Sequence, residues 1–105
     1  MTYQEAQQLK PLFIPLKREY FEAFERGEKD TEYRRWSKRW SAETCALGRR
    51  VVLSLGYGKA RRLRGVIIGW RCMVNPPEDV RLALVACYGE RYDDLTVAIK
   101  IEVER

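Results

Sequence analysis

The stretch "LRGVIIGWRCMV", residues 63–74, constrains the fold most, because it reads as one long strand with Gly65 and Gly69 in its interior. Glycine weakens a straight strand and permits a bulge or a sharp bend, so a strand this long belongs in a curved sheet or barrel. Shorter segments surround it. "PLFIPLK" reads as a short strand that Pro11 and Pro15 restrict to a sheet edge or an irregular entry, and "RRVVLSLG" reads as another. Leu95, Val97, Ile99, Ile101 and Val103 alternate with Thr96, Ala98, Lys100 and Glu102, the pattern of a half-buried strand.

Two segments carry helical spacing instead. In "REYFEAFERG", Phe21 and Phe24 share a face with Tyr20 beside them, Glu22 and Arg26 form an i,i+4 pair, and Gly27 is placed to stop the helix in a left-handed conformation. In "NPPEDVRLALVACYG", Asn75 precedes the prolines, Val80, Ala83, Leu84 and Cys87 form the apolar face, and Gly89 closes the helix. Residues 1–10 read as a polar, flexible leader, and 41–48 as a loop or single helical turn. A chain of 105 residues can bury one modest core, so a single domain is expected. The expected class is α+β and mainly β: a small, partly open barrel of about five or six strands with two short helices over its ends.

Composition narrows the chemistry. Histidine is absent, which excludes Ser-His and Cys-His pairs, His-ligated zinc and two-histidine ribonuclease chemistry. Cys45, Cys72 and Cys87 are widely spaced with no C-x-x-C, so they read as reduced and mostly core, with no disulfide framework or thiolate zinc. No metal and no cofactor is expected. The net charge of +5 and pI near 9.3 favour an acidic partner such as RNA, DNA or a nucleotide. No apolar run approaches the length of a membrane span, and the N-terminus lacks the pattern of a secretory signal, so a cytoplasmic protein without a membrane partner is expected.

The chemistry concentrates between residues 29 and 40. Read as a strand, residues 29–36 put Glu32, Arg34 and Trp36 on one face and Thr31, Tyr33 and Arg35 on the other. Glu32 and Arg34 are close enough to pair, and the long stem of Lys29 reaches back toward them. A carboxylate between two cations is a fixed anion or weak base, able to take a 2′-hydroxyl proton while Lys29 or Arg34 stabilises phosphorane charge. The same three residues equally make a structural salt bridge in a barrel mouth. Arg34, Arg35, Lys38 and Arg39 interleave with Tyr33, Trp36 and Trp40, which combines phosphate attraction with flat stacking surfaces. One of the tryptophans belongs to the core, and strand alternation selects Trp36, leaving Trp40 for a ligand. Lys59, Arg61, Arg62 and Arg64 follow Gly56-Tyr57-Gly58, where Tyr57 either stacks on a base beside Lys59, Arg61 and Arg62 or sits in a solvated turn.

Gly27-x-Lys29-x-x-Glu32-x-Arg34, followed by a strand into Gly56-Tyr57-Gly58-Lys59, resembles the ASCH domain family and its G-x-K-x-x-E-x-R hallmark. The segment "RWSAETCALGRRVVLSLGYGKARRLRGVI" is similar to the small stand-alone ASCH proteins of bacterial and phage genomes. The resemblance implies a PUA-like β-barrel and RNA-related chemistry in a cleft lined by the motif. It also implies possible hydrolysis, since some members degrade single-stranded RNA and a bacterial branch hydrolyses N4-acetylcytidine. That amidohydrolase branch carries threonine where this chain has Glu32, and Thr31 does not replace it, because an offset of one residue on a strand reverses the side chain. The expected partner is single-stranded RNA or a nucleoside, with Lys29 and Glu32 as candidate catalytic residues. A protein-interaction module of phage or prophage origin with a Trp-rich surface is the alternative outside nucleic-acid chemistry.

Overall fold

The structure, a computed structural model, describes residues 1–74, 77–89 and 95–105. It is α+β and mainly β. In chain order come α1 (Tyr3–Gln7), β1 (Leu12–Leu16), α2 (Arg18–Glu25), β2 (Thr31–Arg35), a 3-10 turn (Lys38–Trp40), β3 (Arg50–Leu55), β4 (Arg62–Met73), α3 (Glu78–Tyr88) and β5 (Thr96–Val103). The five strands form one sheet in the order β1-β3-β4-β5-β2, curled into a half-barrel. β1 pairs with β3 in parallel, and the other neighbours are antiparallel. Thus β1 and β2 are the two edges, and curling brings them toward each other.

The long strand bends where its glycines lie. The β4–β5 register shifts between Ile67 and Gly69, marking a bulge. At Gly65 an added Cβ would lie 2.6 Å from the Glu102 carbonyl oxygen, so the strands approach too closely there for any side chain. Inside the curl, Ile14, Leu53, Ile67, Ile99 and Ile101 pack with Phe21 and Phe24 of α2, all fully or almost fully buried. Each such side chain contributes about 2–3 kcal/mol of burial, which is why a helix as short as α2 stays in place.

The end of α2 sets up β2. Gly27 has φ 79°, its N–H donates to the Phe24 carbonyl at 3.1 Å, and the Glu28 N–H donates to the Ala23 carbonyl at 2.9 Å. The Arg105 guanidinium also donates to the Phe24 and Glu25 carbonyls, at 2.8 Å each. Lys29 therefore leaves the helix at a fixed point, two residues before the strand.

Several expectations need correction. The leader contains α1, held by a reciprocal cap between Thr2 and Glu5 and by buried Ala6. Glu22 pairs with Arg18 and Arg61 rather than Arg26, because Arg61 reaches α2 from the β3–β4 turn while Arg26, at the cap, turns to Glu28. Trp36 is 43% exposed and Trp40 only 6%, the reverse of the expected assignment. The reason is that β2 ends at Arg35, and the 3-10 turn then swings Trp40 inward. β5 is buried on both faces from Thr96 to Ala98, since the register sets these small residues between the longer Arg35, Tyr33, Arg71 and Met73. Of the cysteines only Cys45 is buried, while Cys72 and Cys87 are exposed. The helix start read at Asn75 lies outside the described residues. No helix among those described is long and apolar enough to cross a membrane.

Candidate functional site

Between the two edge strands, with α3 across the opening, lies a cavity of about 590 Å³. β1 and the turn after β3 supply Pro15, Leu16 and Tyr57, while the start of β2 supplies Lys29, Glu32 and Arg34. Lys29, Glu32, Tyr33, Arg34 and Tyr57 are thus among the residues singled out from the sequence that the fold brings together at this cavity.

Register explains the polar wall. Glu32 pairs with Ile99 and Arg34 with Val97, so both side chains lie on the inner face. Glu32 is only 6% exposed, and its two oxygens face different cations. The Arg34 Nε donates to Oε2 at 2.7 Å, and the Lys29 Nζ lies 3.7 Å from Oε1. A buried carboxylate is tolerated only with such partners. Lys29 is itself wrapped by rings, with its Nζ 5.4 Å from the centroid of Tyr20, 5.5 Å from Phe24 and 5.3 Å from Tyr33. Burial holds the Lys29 ammonium below the usual lysine range, and the neighbouring Glu32 carboxylate works in the opposite direction. Burial likewise pushes the Tyr20 phenol up.

Arg34 also spans the seam between the sheet edges. Its Nη2 donates to the Pro15 carbonyl of β1 at 2.6 Å, and its guanidinium stacks 4.7 Å from the Trp40 ring centroid. Arg39 repeats the arrangement one step along: its Nη2 donates to the Phe13 carbonyl at 2.9 Å, and its guanidinium lies 5.0 Å from the same ring. Trp40 is therefore packed between two cations, and its carbonyl accepts from the Trp70 indole at 2.9 Å. It offers no open stacking face, contrary to its assignment to a ligand. Of its two arginines, Arg34 also lines the cavity.

The other cations singled out from the sequence do not line the cavity. Arg35 and Lys38 are exposed. Lys59 is exposed on the β3–β4 turn. Arg61 is engaged with Glu22 and Glu25 over the Phe21 ring, and Arg62 donates to the Gly58 carbonyl at 3.3 Å above Phe13. The two basic clusters therefore do not converge on the cavity. Thr31 is also outside it, with its hydroxyl donating to Asp30 at 2.8 Å. Among the described residues no group of three or more His, Cys, Asp or Glu could hold a metal ion.

The roof is what sequence reasoning missed. Asp79, Val80, Ala83, Leu84 and Cys87 of α3 line the cavity, yet their helical spacing reads simply as a core face. Only Leu84 of that face is buried. The signal was the size of the side chains: valine, alanine and cysteine are too small to fill the space between a helix and two sheet edges. As site residues Tyr20 and Lys17 were overlooked because they belong to α2 and its N-cap rather than to the motif. At the rim, the Lys17 Nζ lies 3.3 Å from the Cys87 Sγ, and this contact keeps Lys17 charged above the usual lysine range.

No family model matches the sequence, and no curated protein matches it. Among solved structures, the chain is similar to the protein described as "Crystal structure of hypothetical protein PH0355", with a TM-score of 0.62 and 19% identity over 88% of this chain and 97% of that one. At that identity the likeness shows the fold: a small, mainly β domain in a curled half-barrel arrangement, shared over nearly its full length.

Proposed function

We propose that the chain is an ASCH-type binding module whose cavity takes a single nucleobase or nucleoside. One observation carries this reading: a buried carboxylate faces a cavity of about 590 Å³, walled by aromatic rings, while the exposed basic clusters lie elsewhere. Pockets of roughly 300–1,000 Å³ suit ligands of nucleoside size. An ionised carboxylate has about four acceptor positions, and Lys29 and Arg34 engage two sides of Glu32. What remains suits the exocyclic amine of cytosine, adenine or guanine, as carboxylates accept from cytosine N4 elsewhere. Tyr20, Tyr33 and Tyr57 provide flat surfaces for the base.

The reading favours binding over hydrolysis, since both oxygens of Glu32 are already held by cations and Thr31 faces away. Calorimetric titration with cytidine, adenosine, guanosine and uridine tests it. The amine-bearing nucleosides should bind more tightly than uridine, and Glu32→Gln should remove the preference. Equal affinity for all four, or no saturable binding, would refute it.

A further inference from the structure

We propose that Lys17 and Cys87 form an oxidant-dependent covalent bond that fastens α3 across the cavity. The two residues are 70 positions apart in sequence, yet Nζ and Sγ lie 3.3 Å apart. Lys17 caps the start of α2 directly after β1, and Cys87 lies in the last turn of α3, so a bond between them joins the roof to the barrel wall. Both side chains line the cavity and both are exposed, so a small oxidant reaches them.

The other cysteines show why this one is singled out. Cys45 is buried, and that burial pushes its thiol up to about 11, which suppresses the reactive thiolate. Cys72 is exposed, but among the described residues no amine is hydrogen-bonded to it. Among the described residues, only Cys87 combines access with an amine near enough to trap an oxidised sulfur.

The chemistry balances with a peroxide as the oxidant. The peroxide O–O bond breaks, Cys87 sulfur is oxidised by two electrons to the sulfenic acid, and one water leaves. Once the sulfur is an uncharged sulfenic acid, the contact that held Lys17 charged is gone, so Lys17 releases its ammonium proton to solvent and attacks the sulfur with its nitrogen lone pair. The N–S bond forms, the S–OH bond breaks, and the departing hydroxide takes a proton from nitrogen to leave as a second water. The product is a sulfenamide, the same linkage a sulfenic acid makes with a backbone nitrogen. A thiol reductant reverses it. The long, flexible lysine stem closes the gap by changing rotamer, so the backbone stays where it is. The bond is independent of which ligand the cavity takes.

The test treats the folded full chain with hydrogen peroxide, measures its intact mass, and then alkylates the remaining thiols for proteolytic peptide mapping. Wild type and Cys72→Ser should each lose about 2 Da and yield a linked peptide containing Lys17 and Cys87. Dithiothreitol should restore the original mass. Lys17→Arg and Cys87→Ser should show no such loss. A gain of about 32 Da at Cys87 with Lys17 free, the signature of sulfinic acid, would overturn the proposal. So would a loss of about 2 Da that survives Lys17→Arg, since that bond would be a disulfide.

Discussion

Arg34 and Arg39 lie across the seam between β1 and β2, whereas Lys59 and Arg62 lie on or beside the β3–β4 turn. The first pair donates to β1 carbonyls and encloses Trp40, so its charge completes the barrel where strand pairing stops. In the second region Lys59 is exposed and Arg62 makes a local contact with the turn itself. Both regions set cations near an aromatic in sequence, interleaved in the first and after Tyr57 in the second, a pattern that suits a nucleic-acid surface. The difference teaches that an arginine beside an unpaired strand edge can act as part of the backbone network, since its planar fork reaches carbonyls that no neighbouring strand satisfies.

Breaking the seam should have the largest effect. Trp40→Ala removes a buried ring and the packing of two guanidiniums, and should cost about 4 kcal/mol in urea unfolding. Glu32→Gln leaves Lys29 and Arg34 without their anion in a buried setting and should cost about 3 kcal/mol. If either variant unfolded like wild type, the seam would be ornamental.

A smaller effect sits behind the seam at Cys45. Its thiol ionises near 9 in the unfolded chain and at about 11 in the fold, so between these values the native state retains a proton that the unfolded state has lost. Stability must therefore fall as pH rises through this window, by about 2–3 kcal/mol in all, having been fully present below it. Lys29, lowered by burial, tilts the alkaline limb the other way. The difference between wild type and Cys45→Ala in pH-dependent unfolding isolates the thiol, and identical curves would contradict its burial. The smallest effects sharpen the comparison directly: Arg39→Ala should cost about 1 kcal/mol and Lys59→Ala less than about 0.5 kcal/mol.

Much of the fold was legible in the sequence because local chemistry and tertiary placement agreed. Gly27 ends α2 as read, β1 with its prolines is an edge strand, and the β4 glycines mark a bulge and a close approach. The same-face placement of Glu32 and Arg34 follows from strand parity alone. What was not legible depended on where elements stop and what they meet. Alternation assigns Trp36 to the core only if β2 continues past Arg35, and it does not. The cavity roof depends on α3 meeting two sheet edges it cannot fill, a relation between distant segments that no local pattern carries. Arg34 and Arg39 read as ligand contacts because carbonyl acceptors on β1 are invisible to side-chain patterns.

The central claim is that ligand recognition resides in the cavity around Glu32 and not in the exposed cations. It is tested most directly by comparing affinities for a nucleoside and a short single-stranded RNA in wild type, Glu32→Gln and Lys59→Ala at low and high salt. The account predicts saturable nucleoside binding that changes little with salt, weakens in Glu32→Gln for an amine-bearing base and is kept in Lys59→Ala. RNA binding that falls steeply with salt, weakens in Lys59→Ala and survives in Glu32→Gln would contradict it, since that behaviour belongs to phosphate contacts on the surface.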